Sequence, residues 1–183
     1  MQEKTANPGA LGLGAFALTT FLLSLINAGL IAPEGIGAVL PMAFFYGGLA
    51  QVLAGMWEFK TGNIFGATCF TSFGAFWMGL ALMIVLEAAG IITAVPPAGL
   101  AAFLIGWGLF TLYATVAATR ATRSLLALFI SLTITFFLLA AGEFSIYFKL
   151  AGGYLGILVA LIAWYISAGT LINEMSGREV LPL

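Results

Sequence analysis

The uncharged run Ser124-Leu-Leu-Ala-Leu-Phe-Ile-Ser-Leu-Thr-Ile-Thr-Phe-Phe-Leu-Leu-Ala-Ala141 decides the class of fold. Arg120 and Arg123 close it on one side, Glu143 and Lys149 on the other. At ~1.5 Å per helical residue it covers most of the ~30 Å of a bilayer's hydrocarbon. No water there satisfies a backbone N–H or C=O, so a run of this kind is a helix. Charges and turn residues cut the rest of the chain into five further runs: Leu11 to Ile31, Val39 to Trp57, Ile64 to Leu86, Ala98 to Thr119 and Leu150 to Ile172. Pro33-Glu34-Gly35, Glu58 to Asn63 and Pro96-Pro97 supply the remaining breaks. The expectation is an all-α integral membrane protein, one transmembrane domain of six helices over residues 1–183, held in a lipid bilayer.

Composition narrows the function classes. The chain is 62% hydrophobic and 7% charged, with a mean hydropathy of +1.14, more than a water-exposed surface carries. Six Lys and Arg stand against seven Glu and no Asp, a net charge of −1, so nothing advertises a nucleic-acid partner. Histidine is absent, which removes imidazole metal ligands, haem ligation through His and His-based proton relays. No Gly-x-Ser-x-Gly, paired Asp or His-Glu motif is present, so neither an enzyme nor a resident cofactor is expected. Cys69, the single cysteine, lies in an apolar stretch and reads as a packing residue. The first run exceeds the ~7–15-residue core of a signal peptide and reads as a retained helix. On alternate sides of the membrane, Lys4, Lys60, Arg120, Arg123 and Arg178 fall together and Lys149 alone opposite. That asymmetry places both termini in the cytoplasm and the chain in the plasma (inner) membrane.

Small and polar residues trace helical faces in several runs. Gly156, Ala160, Ala163, Ser167 and Thr170 do so in the sixth, Gly47, Gln51, Gly55 and Glu58 in the second, and Thr68, Ser72, Ala75 and Gly79 in the third. In the first run, Gly12, Phe16, Thr19 or Thr20, Leu23 and Asn27 form a mildly amphipathic face suited to a narrow path. Such seams also serve plain helix packing, and Ser or Thr hydroxyls often bond their own helix, so a seam is not in itself a pathway. No charge falls at mid-depth, since Glu58, Glu87 and Glu143 all lie near run ends. Ion-coupled carriers commonly keep a carboxylate inside the membrane, so this pattern favours a channel or simple facilitator. Neutral groups are then left to hold a permeant anion, the candidates being the Gln51 amide and the hydroxyls of Thr20, Thr71 and Ser131. At the start of the first run Asn7 reads as a cap and Pro8 as the first helical residue. The N–H groups that follow at Gly9 and Ala10 either attract an anion or belong to an ordinary interfacial cap.

A weak internal echo runs through the chain. It sets Tyr46-Gly47-Gly48 on Gly106-Trp107-Gly108, Gln51 on Thr111, Lys60 on Arg120, Thr71 on Ser131 and Phe76 on Phe136. Gly152-Gly153 open a fainter third copy that the first run would complete. A repeat of this kind builds a pseudo-threefold ring of helix pairs around a central path.

Four motifs carry a family resemblance: Asn7-Pro8-Gly9-Ala10-Leu11-Gly12-Leu13, Phe45-Tyr46-Gly47-Gly48-Leu49-Ala50-Gln51, Gly62-Asn63 with Phe65-Gly66, and Phe70-Thr71-Ser72-Phe73-Gly74. Together they resemble the acetate uptake transporter family, in particular its bacterial succinate-acetate permeases, and the likeness runs on to Leu181-Pro182. Ala10 departs from it, standing where the family's amino-terminal motif usually has Pro. The resemblance implies a six-helix protomer in a homo-oligomer of six, each protomer passing acetate, related monocarboxylates or succinate. It also implies an apolar constriction, here Phe16, Phe73 and Leu132, with Phe73 standing where a relative has Tyr. Ala163 falls where the family tunes which acid passes, and Asn7, Pro8, Leu11 and Gly12 fall in the motif at the cytoplasmic mouth. An apolar constriction excludes hydrated inorganic ions by dewetting while a short acid presents its methyl group to the rings. The competing expectations are a path for a neutral solute such as ammonia, disfavoured by the lack of a His pair, and a membrane sensor that transports nothing.

Overall fold

A computed structural model describes residues 5–183, so Lys4, counted above among the basic residues, lies outside the described residues. Six helices long and apolar enough to cross a membrane succeed one another: α1 (Gly9–Asn27), α2 (Pro33–Thr61), α3 (Ile64–Ala88), α4 (Pro97–Ala118), α5 (Arg123–Gly142) and α6 (Ile146–Ser176). There is no strand among the described residues.

The six expected runs are all present, and the boundaries differ most at α1, at α2, which runs from Pro33 to Thr61 instead of Val39 to Trp57, and at α6, which runs from Ile146 to Ser176 instead of Leu150 to Ile172. α1 stops at Asn27 instead of Ile31 because Gly29 takes φ +70°. The Gly29 N–H then bonds the Ile26 carbonyl and the Leu30 N–H the Leu25 carbonyl, both at 2.9 Å, which closes the helix. α2 begins at Pro33, expected as a break. A proline in the first turn loses no hydrogen bond, and Glu34 complements the positive helix end. Farther along α2, Pro41 removes an intrahelical donor, and Phe45–Ala50 forms a π turn before the α-helix resumes at Gln51. Gly62, at φ +80°, ends α2, and Asn63 caps α3 by accepting the Gly66 N–H at 3.1 Å.

α1 packs chiefly on α6, α6 on α5, α5 on α4 and α2 on α3. Three of these contacts are the helix pairs of the internal echo, the third joining the ends of the chain. Gly156, Ala160 and Ala163 of the α6 seam are buried and Ser167 and Thr170 half-buried, and Gly153 and Gly156 lie so close to Ala28, just past α1, and to Ser24 of α1 that neither has room for a Cβ. The α2 seam is buried too. The α3 seam is not: Thr68, Ala75 and Gly79 face outward. α3 turns inward its larger apolar edge, Phe73, Phe76, Trp77 and Ala81, whose rings fill the bundle's centre with packing contacts that small residues cannot supply.

Both described ends of the chain lie at one face of the bundle, where Thr5 and Glu174 line a common space. The last residues fold back on α6. The Asn173 side chain accepts the Val180 and Leu181 N–H groups at 2.7 and 2.9 Å and donates to the Leu181 carbonyl at 2.8 Å.

Candidate functional site

Two cavities enter the bundle from opposite faces, and both are lined by Phe16 of α1 and Leu132 of α5. The larger, of about 360 Å³, opens at the far face between Asn27, Pro33, Glu143 and Lys149. The smaller, of about 300 Å³, opens at the termini face by Asn7, Glu58, Asn63 and Thr122. Between them stands an aromatic septum. Phe73 of α3 lies 5.9 Å from Phe16, 5.3 Å from Phe110, 6.1 Å from Trp107 and 6.3 Å from both Phe129 and Phe136. Phe16, Phe73 and Leu132 are all at most 5% exposed, so Phe16 does not face lipid.

Both chambers are apolar apart from a few polar groups, and some of those have no partner. In the far chamber the Thr20 hydroxyl and the Trp77 indole N–H are buried without a hydrogen bond. In the termini-side chamber the Gln51 side chain is 1% exposed and its Oε1 is unpartnered. An unmet polar group in an apolar interior costs about 1–3 kcal/mol, so these atoms are poised for something that enters. The indole N–H is a donor only, and a hydroxyl can donate, which suits a carboxylate oxygen.

The other expected path residues are placed differently. Ser131 donates to the carbonyls of Ala127 and Leu128 in its own helix and lines neither chamber. Thr71 packs against Gly55 in the α2–α3 contact. Ala163 is fully buried in the α6 seam, behind the lining. Leu11 points out of the bundle at 45% exposed, and Gly12 is the floor on which the Phe70 ring rests. Asn7 and Gly9 do line the termini-side mouth, and Pro8 borders a smaller space beside it. The Gly9 N–H, expected to be open to an anion, is taken by Asn7 Oδ1 at 2.8 Å.

One residue at the site gives no sequence signal, and another is read in the sequence only as the end of the α2 seam. Trp77 gives no signal in an apolar run. Glu58 was placed near a helix end, which is right, but it is only 3% exposed and lines the termini-side chamber. Its Oε2 accepts from Thr61 Oγ1 at 3.1 Å and from Asn63 Nδ2 at 3.0 Å.

The comparisons with known proteins bear on what such a path serves. The model of the GPR1/FUN34/yaaH family matches residues 1–180. This chain belongs to the GPR1/FUN34/yaaH family. Within the family, the succinate-acetate/proton symporter SatP of Escherichia coli (strain K12) is 41% identical, over 98% of this chain and 96% of that protein. Ammonia transport outward protein 2 of Saccharomyces cerevisiae is 42% identical, over 98% of this chain and 67% of that protein. The solved structure of the bacterial acetate channel SatP matches with a TM-score of 0.95 at 41% identity, over 98% of this chain and 99% of that one. The six-helix membrane architecture of the GPR1/FUN34/yaaH family is thus the architecture of this chain.

Proposed function

We propose that this chain passes acetate and other small carboxylates, succinate among them, across a membrane, and that every permeant crosses the constriction of Phe16, Phe73 and Leu132. The observation that carries this reading is the convergence of two chambers, open to opposite faces, on Phe16 and Leu132, with the Phe73 ring packed on Phe16 at 5.9 Å. Kinship to proteins named for acetate and succinate supplies the substrate class. The unmet donors of Thr20 and Trp77 fit a carboxylate in transit, since they replace part of its hydration without the tight grip of an arginine. At the septum the methyl group meets the rings, and chloride or a hydrated cation gains nothing in return for its lost water.

The bilayer is the plasma (inner) membrane in this reading, with the termini face cytoplasmic. Lys60, Arg120, Arg123 and Arg178 gather on that side and Lys149 on the other. The protomer works in a ring of six, in which the outward Thr68, Ala75 and Gly79 of α3 meet a neighbouring copy instead of lipid.

The test is uptake of labelled acetate into liposomes holding the purified protein, repeated with lactate, succinate, formate, chloride and methylammonium. Acetate flux above that of empty liposomes, without chloride flux, is expected. Absence of any carboxylate flux, or flux of methylammonium alone, overturns the reading and favours the neutral-solute path.

A further inference from the structure

The termini-side mouth holds a group that an anion path should avoid. Glu58 is a buried carboxylate in the lining itself, on the same face of α2 as Gln51 and about two turns, ~10 Å, beyond it. Its two oxygens are treated differently. Oε2 is anchored by Thr61 and Asn63. Oε1 has no hydrogen-bond donor among the described residues and lies against Gly9 and Gly66, in the first turns of α1 and α3. A Cβ at Gly66 would come within 2.9 Å of it.

Among the described residues, no Lys or Arg side chain lines the mouth beside Glu58. From α1 it meets Asn7 and Gly9, and from α3 Asn63 and Gly66, none of them titratable. From the end of α5 the same mouth receives Thr122, and from the tail Leu183. Glu174 of α6 borders the adjoining space, a second acid. Lys60, two residues on, is turned away over the Trp57 ring at 4.8 Å. A carboxylate entering here therefore meets a carboxylate. Two such groups in a confined site do not both stay ionised, and they hold one proton between them.

We propose that Glu58 is the proton-coupling residue of the path: its free Oε1 shares one proton with each carboxylate that crosses the termini-side mouth, so anion and proton travel together. The proton comes from water at that face and sits between Glu58 Oε1 and a permeant oxygen, and the pair carries one net negative charge. It leaves either with the permeant as the neutral acid or back to water. No bond other than O–H changes. The neutral acid then crosses the apolar septum, where a bare anion would lose its hydration without compensation. The proposal rests on the carboxylate reading above.

The experiment measures labelled acetate uptake into liposomes from mildly acid to mildly alkaline pH, with empty-liposome leak subtracted and the membrane potential set by a potassium ionophore. In the unaltered protein uptake should fall by about tenfold per pH unit at the alkaline end, the limit for one bound proton, and respond little to potential. Glu58→Gln, whose amide can donate to a carboxylate but supplies no titrating proton, should lower uptake at acid pH several-fold and flatten its pH profile. Glu58→Asp, which keeps the acid but withdraws it by a methylene, should keep a pH dependence with a displaced midpoint, and it serves if the Gln variant fails to fold. Profiles of both variants that coincide with that of the unaltered protein overturn the coupling role and leave the carboxylate reading standing. If the unaltered protein shows no uptake at any pH, the carboxylate reading falls and the coupling role with it.

Discussion

Phe73 touches rings from α1, α4 and α5, and together with Phe76, which packs on Phe103 and Trp107, it joins α3 to α4, two helices that otherwise hardly meet. Truncating it has two effects. Phe73→Ala should lower stability by about 3–5 kcal/mol, as for other large aromatic deletions in cores, and in the protein that remains folded it should widen the range of acids accepted. Relative uptake of acetate, lactate and succinate decides the second point, and unchanged ratios count against a constriction at this residue. Thr20→Val removes a hydroxyl that has no partner in the empty path, so the fold should hold or gain slightly, while the loss of one hydrogen bond to the permeant, about 1 kcal/mol, should weaken acetate uptake about fivefold. Ser131→Ala is the internal contrast. Its hydroxyl is already spent on Ala127 and Leu128, and uptake should not change. In the sequence Thr20, Thr71 and Ser131 are equivalent, each a hydroxyl in an apolar run. What separates them is whether the hydroxyl bonds a carbonyl of its own helix, lies unpartnered in the α2–α3 contact or lies unpartnered in the lining of a chamber, and that depends on packing among helices far apart in the chain. Glu58 was hidden for the same reason: Asn7, Gly9 and the α3 start fold over what would otherwise be an ordinary acid near a helix end.

At the scale of elements, hydropathy and breakers located every helix because the bilayer leaves the backbone no other choice. Errors came where one residue type serves two purposes. Pro33 reads equally as a stop and as a first turn, and Gly29 is only visible as a closing residue once Leu30 and Leu25 are seen to bond. The π turn in α2 follows Pro41, and it brings Gly47 against Thr19 of α1 so closely that no Cβ fits between them. The α1–α6 contact depends equally on missing side chains. Gly156→Val should push Ser24 off its place and cost about 1–3 kcal/mol, seen as a lowered melting temperature in detergent, with loss of uptake because Ser24 lines the far chamber. A variant that melts as the unaltered protein does would show that α1 and α6 can part without consequence.

For the whole molecule, the family motifs reached farther than the physics of the spans. Composition alone points to six helices with no charge at mid-depth; Glu58 does lie near the end of α2, and its burial in the lining is what only the fold shows. The motifs pointed to Phe16, Phe73 and Leu132, which the fold does bring together from three helices. The outward face of α3 belongs to this scale also, and native mass measurement in a mild detergent should find six copies, a monomer being the outcome against it.

Central to the account is that carboxylates cross between the two chambers at one septum. Leu132 borders both chambers, so Leu132→Trp should fill the gap without altering either mouth. Labelled acetate uptake into liposomes is then measured for the unaltered protein and for this variant, both verified as folded by their elution and melting. The account predicts uptake well above empty liposomes for the first and uptake no greater than empty liposomes for the second. Equal uptake by the two proteins would contradict it, because the acid would then be crossing somewhere else.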